Sequence, residues 1–306
     1  MADIHELKGF NSFEESGISD ILLKNFVTFF DWGFVNSGGY QNINIPGSGI
    51  RGSDRSRLRS INDPNYANGS VWQSQRGNWV WETGLSKATP IAHSGVFVNG
   101  SLVTSGYRIR PESGEIVFNS PIATSSNVRL SYSTKSVFVT SADSTPWIRN
   151  IQRGPYENLD IKTSGEYAFL GPTRIQMPAV LIESIPARKQ VPYQMGGGKE
   201  YYNDIIFTVV ADSAPKCRGL IDKISYQQDR TIQLFDPSEA SASGVQIFDH
   251  NGFLSNSALP SGLYPNLVTN FPYKKCFIDN CGTPSYLEFS PNLTIGSIRM
   301  TTVVRG

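Results

Sequence analysis

Carboxylate side chains are the groups in this sequence best suited to acid–base chemistry. A glycoside hydrolase needs two of them facing each other, roughly 5 to 9.5 Å apart. The candidates are scattered along the chain and share no local motif: Glu82, Glu115, Glu166, Glu183 and Asp204. The sequence also lacks a G-x-S-x-G motif, which would mark a nucleophilic serine on a strand–turn–helix unit. We therefore predict no catalytic residues and no enzymatic activity.

Metal and cofactor sites are not predicted either. A structural zinc ion takes four ligands, but the histidines and cysteines are dispersed: His5, His93, His250, Cys217, Cys276 and Cys281. The stretch "QMGGGKE" (194–200) lacks the spacing of a phosphate-binding loop and precedes a predicted strand, so it is interpreted as a tight connection. The cysteines are expected to be reduced thiols. A Cys276–Cys281 disulfide, or half of a metal site, is the alternative.

Arginines concentrate in one irregular segment, residues 36–70, which is rich in Gly, Ser and Asn. They are Arg51, Arg55, Arg57 and Arg59. Because long irregular segments are usually functional or disordered, this segment is predicted to be an extended arm that contacts a neighbouring subunit or a polyanion. A solvated loop is the alternative. Of the two predicted partners of the arm, DNA is the less favoured, because Asp54 and Asp63 reduce its positive charge and no aromatic residues alternate with the arginines to stack on bases.

Tryptophans cluster in the next stretch, "VWQSQRGNWVWET" (71–83), as Trp72, Trp79 and Trp81. Trp79 and Trp81 alternate, so they would share one face of a strand. An interface anchor and a sugar-stacking platform are the functional interpretations, and the edge of a hydrophobic core is the structural one. We assign these three tryptophans and the four arginines to a subunit interface.

Composition limits the possible partners. The formal net charge is +1 and charged residues make up 17% of the chain. No global field would therefore attract nucleic acid or an anionic membrane. No apolar run reaches the roughly 20 residues of a membrane helix, and "MADIHELKGFNSFEESG" does not resemble a signal peptide. We expect a protein made and folded in a cytoplasm.

Periodicity predicts the elements. A helix over 18–31 carries an apolar stripe rich in Phe, and short alternating strands with regular turn signals fill 95–140, which is typical of a sandwich or small barrel. A second helix within 212–230 starts at Ser213 and Pro215. Further strands are predicted at 179–186, 201–211, 231–236, 273–280 and 296–305, whereas 145–178 is predicted to be turn-rich connections.

These elements predict an α+β protein in which the two kinds of unit are interleaved. The N-terminal helix lacks a partner nearby in sequence, while the later sheet needs a cover. We therefore predict a discontinuous α/β core formed by residues 1–35 and 145–306, with the helix packed on the C-terminal sheet. Residues 36–70 would be the arm or loop, and residues 71–144 an inserted all-β module.

Two segments resemble proteins of tailed-bacteriophage virions. "VFVNGSLVTSGYRIRPESGEIVFNS" and "NVRLSYSTKSVFV" are similar to small β modules of phage tail and neck proteins. "IPARKQVPYQMGGGKEYYNDIIFTVVADSAPKCRGLIDKISYQQDRTIQLFD" is similar to the core of tail-terminator and head–tail joining proteins. Together these segments cover roughly a third of the chain. Tail terminators are usually shorter, so the module and arm would be additions.

The resemblance implies a structural virion protein, assembled in the host cytoplasm. It would form a ring, a hexamer, that joins the portal or adaptor side of the head to the tail tube or sheath. Genome DNA would pass nearby without specific binding, and no membrane or cofactor would be involved. Terminator, adaptor and collar roles remain open, and a carbohydrate-binding adhesin or tail-fibre-like module is the alternative function.

Overall fold

The computed structural model describes residues 17–46, 54–144, 161–164, 167–170, 173–194, 197–248, 254, 263–290 and 292–305. These residues form a mixed α+β fold dominated by antiparallel sheet, so the predicted class is confirmed. A large mixed sheet with helices on one face forms the core, and two smaller sheets face each other in a separate β-sandwich.

The helices are α1 (Ile18–Asn36), α2 (Ala214–Ser225), α3 (Pro237–Ala242) and α4 (Asn266–Asn270), with a 3₁₀ turn at Ala142–Ser144. The strands are β1 (Tyr40–Ile43), β2 (Arg59–Ile61), β3 (Val71–Gln73), β4 (Ser94–Val98), β5 (Ser101–Val103), β6 (Tyr107–Arg110), β7 (Glu115–Phe118), β8 (Val128–Lys135), β9 (Phe138–Ser141), β10 (Ile161–Ser164), β11 (Tyr167–Leu170), β12 (Thr173–Gln176), β13 (Ala179–Gln194), β14 (Gly197–Ala211), β15 (Thr231–Phe235), β16 (Pro272–Cys281), β17 (Ser285–Ser290) and β18 (Leu293–Arg305).

The core sheet has the order β15-β16-β18-β14-β13-β9, and β17 pairs with β18 beyond the end of β16. Strands β13 and β14 form a long hairpin, and β14 pairs with β18 along its length. The pairing of β9 with β13 is parallel, whereas the other pairings in this sheet are antiparallel. The chain therefore enters the core sheet at β9, and its last strand, β18, lies in the middle of that sheet.

Helices α1 and α2 cover the same face of this sheet. The rings of Phe26 and Phe30 lie 6.2 and 4.9 Å from the Phe207 ring of β14. The stripe predicted for α2 is confirmed, because its buried residues are Cys217, Leu220, Ile221 and Ile224. Among the described helices, none is long and apolar enough to cross a membrane.

Helix α1 runs one turn further than its predicted end at residue 31. The end signal lies at Gly38, whose φ of +89° favours glycine, and the Gly39 amide donates to the Phe34 carbonyl at 2.8 Å. Gly33 lies inside the helix. A side chain at Gly39 would meet the Phe34 carbonyl oxygen at 2.6 Å, so the chain leaves the helix through a glycine pair and enters β1 directly.

Asn25 of α1 closes the edge of the sheet at β15. Its Nδ2 donates to the Phe235 carbonyl at 2.9 Å, and its Oδ1 accepts from the Phe235 amide at 2.8 Å. The buried amide therefore forms the pair of hydrogen bonds that a neighbouring strand would form. This contact joins α1 to the last strand of the sheet.

The β-sandwich consists of two four-stranded sheets, β1-β8-β4-β5 and β2-β3-β7-β6. Its core takes residues from both sheets: Ile43, Leu58, Trp72, Trp79, Val96, Ile116, Phe118, Val128, Leu130 and Tyr132. The Trp79 and Tyr132 rings stack with their centroids 4.6 Å apart. The predicted sandwich-type module is therefore present in residues that extend beyond its predicted bounds.

The bounds of the units differ from the predicted ones. Segment 36–70, predicted to be an arm, contributes β1 and β2 to the sandwich, because Ile43 and Leu58 are apolar and enter its core. Strand β9, predicted within the 71–144 module, pairs with β13 of the core. Residues 145–178, predicted to be connections, include the antiparallel sheet β10-β11-β12. Strand β17 has no counterpart among the predicted strands.

Gly296 marks the closest approach of α2 to the sheet. A Cβ atom there would stand 2.4 Å from Ile221 Cδ1 and 2.8 Å from Cys217 Sγ. Tyr286, paired directly with Gly296 across β17 and β18, covers the position from the side, with its Cδ1 3.2 Å from that Cβ. A glycine is therefore required for the helix to pack at this depth.

We predict that Gly296→Ala destabilises the fold by about 1–3 kcal/mol, because an added methyl group overpacks this contact. Gly219→Ala is the matched control. Gly219 lies in α2, where a Cβ would meet nothing within 4 Å, and alanine favours helix by about 0.8–1 kcal/mol. Urea unfolding of both variants tests the pair. Equal midpoints for the two variants would contradict the packing described here.

Candidate functional site

A cluster of three charged side chains lies where the core meets the sandwich. Asp31 is on α1, Lys135 ends β8, and Glu82 belongs to the segment after β3. Lys135 Nζ is 2.6 Å from Asp31 Oδ2 and is also paired with Glu82 Oε1. Its side chain is 1% exposed, and its Nζ lies 3.6 Å from the centre of the Trp81 ring. We call Asp31, Glu82 and Lys135 the junction triad.

Burial and charge oppose each other within the junction triad. Burial raises the pKa of Asp31 well above its usual value, even though the Lys135 ammonium acts in the other direction. Burial would lower the pKa of Lys135, but the Asp31 and Glu82 carboxylates outweigh it, so the net shift is upward. Burial is the main cause of the raised pKa of Asp31, and the Glu82 carboxylate adds to it because two acids face one base.

A small pocket adjoins the junction triad. It is lined by Thr28, Asp31, Trp32, Trp81, Glu82, Ile247, Leu254, Leu263, Tyr264 and Leu267. Its volume of about 30 Å³ suits one or two water molecules, against roughly 300 Å³ or more for a small-molecule site. The two carboxylates also contact the same Lys135 ammonium, which occupies the space that a substrate takes between the two carboxylates of a glycosidase. The arrangement therefore suits a structural junction better than a catalytic centre.

The other candidate carboxylates lie apart from this junction. Glu115 accepts from Gln73 and Arg110 in the sandwich, and Asp204 of β14 is paired with Arg299 and Thr301. Glu183 is on β13, and Glu166 lies outside the described residues. Within the described ranges, no three His, Cys, Asp or Glu residues are grouped to hold a metal ion.

The three cysteines are free thiols in protected surroundings. Burial raises the pKa of Cys217 to about 11 and that of Cys276 to about 12, and burial also raises the pKa of Cys281. A thiol reacts as its thiolate, so these shifts suppress nucleophilic chemistry at neutral pH.

The predicted interface tryptophans are turned inward. Trp72 and Trp79 are 1% and 2% exposed in the sandwich core, where their Nε1 atoms donate to Gly69 O and Ser74 Oγ. Trp81 is half-buried beneath the Lys135 ammonium. The three side chains therefore stabilise the sandwich and its junction, and they do not share one face of a strand.

Three of the four predicted arginines are exposed. Arg55, Arg57 and Arg59 point outward and alternate with buried Ser56 and Leu58. Arg51 lies outside the described residues. Arg57 and Arg59 lie on the same side of the stretch that leads into β2, whereas Arg55 is in the preceding turn, where it donates to Gln41.

A second exposed surface lies at β17. Among the strands that the structure describes, β17 pairs only with β18, so its outer edge is open. Tyr286 and Leu287 on this strand are 44% and 40% exposed. Arg218 of α2 lies 5.9 Å from the Tyr286 ring. We call β17 with these side chains the β17 edge.

Comparisons with known proteins leave the fold and these surfaces unassigned: no family model, curated protein or solved structure matches the chain.

Sequence reasoning missed the junction triad and the β17 edge. A signal for the triad existed, because Asp31 follows the aromatic run "FVTFF" in a helix predicted to be buried, and a buried acid requires a partner. Which base would meet it could not be read from the sequence, since Lys135 is 104 residues away. The signal for β17 was the alternation in "SYLEFS" between Pro284 and Pro291.

We predict that Lys135→Met destabilises the protein by about 3–5 kcal/mol, because it leaves two buried carboxylates without a counter-charge. Adding Asp31→Asn and Glu82→Gln removes those charges and should recover most of the loss. Chemical unfolding at pH 7 measures both variants. A Lys135→Met variant as stable as the wild type would contradict the burial and pairing described here.

We predict a pH-dependent effect of Asp31→Asn. The folded-state pKa of Asp31 is raised above the usual 3.8, so the stability linked to this acid is fully present below 3.8 and is lost as the pH rises through the folded-state value. Asparagine does not titrate. The stability of Asp31→Asn relative to wild type should therefore rise between pH 3.5 and pH 7, as measured by thermal unfolding. The opposite trend would show that Asp31 is held ionised in the fold.

Proposed function

We propose that this chain is a non-catalytic structural subunit of a tailed-phage virion. In this proposal it forms a homo-oligomeric ring, a hexamer, in the neck between the portal or adaptor side and the tail tube or sheath. Genome DNA would pass through the ring. The core of the chain would be of the tail-terminator or head–tail joining type, with the sandwich as an addition.

The β17 edge is the observation that carries this proposal. An open strand edge with apolar side chains is a site for pairing with another chain unless it is covered. On the opposite side of the sheet, the part of β13 that extends beyond β9 pairs with β14 alone and carries Lys189, Pro192 and a bulge after Ile185, all of which oppose pairing with a further strand. Strand β17 (Ser285–Ser290) carries neither Lys nor Pro, and its own register shift falls at its last residues, between Glu288 and Ser290.

A ring explains how an open edge such as that of β17 would be used. Subunits in a ring contact each other head to tail, so each subunit uses two different surfaces. A strand edge that binds a different surface of the next subunit adds backbone hydrogen bonds to the burial of aromatic anchors. Tyr286 and Leu287 would be those anchors. The sequence resemblance to neck proteins supplies the biological setting of the proposal.

No described geometry favours the carbohydrate-binding alternative. Of its stacking candidates, Trp79 is buried, Trp81 faces Lys135, and Tyr107 packs against Phe118 with the ring centres 6.1 Å apart. A sugar-binding platform needs aromatic faces open to solvent, so these side chains would first have to turn outward. The exposed β17 edge therefore favours the ring subunit over the carbohydrate-binding module.

We predict that the purified wild-type protein forms multimers and that Leu287→Lys weakens their formation by about tenfold or more, because a charge on the edge replaces an apolar anchor. Leu102→Lys is the matched control: Leu102 is 55% exposed on β5, away from this edge, and its substitution should leave assembly unchanged. Mass photometry over a concentration series measures the distribution of masses, and negative-stain imaging shows whether the multimers are closed rings.

A wild-type protein that stays monomeric at high concentration, even with portal and tail proteins present, would overturn the proposal. Assembly of Leu287→Lys to the wild-type extent would remove the β17 edge as its cause. Open fibres in place of rings would contradict the neck assignment, because the repeating contact would then fail to close.

A further inference from the structure

Arginines line both edges of one sandwich sheet on its outer face. Strand pairing places Arg59, Gln73, Glu115 and Arg110 in a single row across β2, β3, β7 and β6. Directly paired residues point to the same side of a sheet, and Trp72 of the neighbouring row points into the core. Arg59 and Arg110 therefore lie on the side of the sheet away from the sandwich core, at edges about 14 Å apart at roughly 4.8 Å per strand spacing, with the buried Glu115 between them.

Each of these two arginines has another arginine two residues before it, although Arg57 lies outside β2 and is bridged to Arg129 of β8. Arg57 precedes Arg59, and the segment is held in place because Leu58 is buried and its amide donates to Val128 O at 2.9 Å. Arg108 precedes Arg110, and both guanidinium groups contact the Tyr66 hydroxyl. We call Arg57, Arg59, Arg108 and Arg110 the arginine face. Its backbone is ordered before any partner binds, which lowers the entropic cost of binding.

Of the acidic residues near this face, Asp54 and Asp63 are engaged elsewhere, whereas Glu115 neutralises Arg110. Asp54 is paired with Arg129 at 2.8 Å, and Asp63 accepts from the Asn65 amide. Glu115 is occupied by Arg110. Among the residues the structure describes, no carboxylate lies within ion-pair distance of Arg57 or Arg59. Asp54 and Asp63 are engaged in their own local contacts, so they do not offset the positive charge of Arg57 and Arg59 as the sequence suggested.

The charge of the sandwich differs from that of the whole chain. Residues 36–144 hold ten Lys or Arg against six Asp or Glu, and eight of the ten are Arg. One of the two lysines there is Lys135, which is buried. The exposed cations are thus almost all guanidinium groups, which bind phosphate through paired hydrogen bonds. The net charge of +1 for the chain conceals this local excess.

We infer that the arginine face binds the phosphate backbone of double-stranded DNA, without reading its sequence. A duplex presents two lines of phosphates across a groove, and its major groove is about 12 Å wide, close to the separation of the two arginine edges. Single-stranded DNA is favoured by exposed aromatic side chains that stack on bases, whereas Tyr66, the aromatic residue here, is covered by Arg108 and Arg110. This inference goes beyond the ring proposal and does not require it.

The test is fluorescence anisotropy of a labelled 24-base-pair duplex titrated with the full-length protein at several salt concentrations. Wild-type affinity should fall linearly with the logarithm of salt, by about 0.9 in slope per phosphate contact. Arg57→Ala/Arg59→Ala should reduce that slope by about 1.8 and weaken binding roughly 10- to 60-fold near 0.1 M salt. Arg108→Ala should reduce the slope by about 0.9.

The matched control is Lys199→Ala/Lys223→Ala, which removes two exposed positive charges from the core and should leave binding unchanged. Equal loss in the control pair would show a general charge effect and overturn the inference. So would wild-type affinity in Arg57→Ala/Arg59→Ala, or absence of duplex binding at 50 mM salt. Tighter binding of a single-stranded 24-mer, or displacement of the duplex by polyglutamate at equal charge, would assign the face to a different partner. None of these outcomes depends on ring formation.

Discussion

The buried ammonium of Lys135 is the interaction on which the arrangement of the two units depends. Its removal from water costs several kcal/mol, and that cost is offset only where carboxylates from α1 and from the segment after β3 converge on it. Two further hydrogen bonds connect α1 to the segment after β3: Trp32 Nε1 donates to Thr83 O, and Asn36 Oδ1 accepts from the Ser86 amide. The charged junction thus fixes α1, the sandwich and their connection in one geometry.

Local patterns were enough to find the two longest described helices and most strands of the core, but not the short helices α3 and α4. In α2, the spacing of Cys217, Leu220, Ile221 and Ile224 and the position of Pro215 specify both the helix and its buried face. The prediction that α1 packs on the C-terminal sheet also agrees with the structure, since Phe26 and Phe30 meet Phe207. Such features follow from the period of the apolar residues, which the sequence displays directly.

Features that depend on distant pairing could not be obtained in this way. Strand β9 has the same alternating pattern as the sandwich strands before it, yet it pairs with β13. Trp79 and Trp81 would share a face only in a continuous strand, but β3 ends at Gln73 and Trp79 reaches Thr134 through an isolated bridge. The arginine row was visible in the sequence, but its rigidity and its freedom from Asp54 emerge only from contacts with β8.

The sandwich is joined to the core by two neighbouring chain segments. Tyr40 and Lys135 are directly paired at the ends of β1 and β8, and the Ser136 amide donates to Gly39 O at 2.7 Å just beyond them. A single-stranded tether would let a domain swivel, whereas two hydrogen-bonded strands side by side resist torsion. A mechanical load applied to the outer end of the sandwich would therefore be shared by the two paired segments and transmitted to α1 and β9 together.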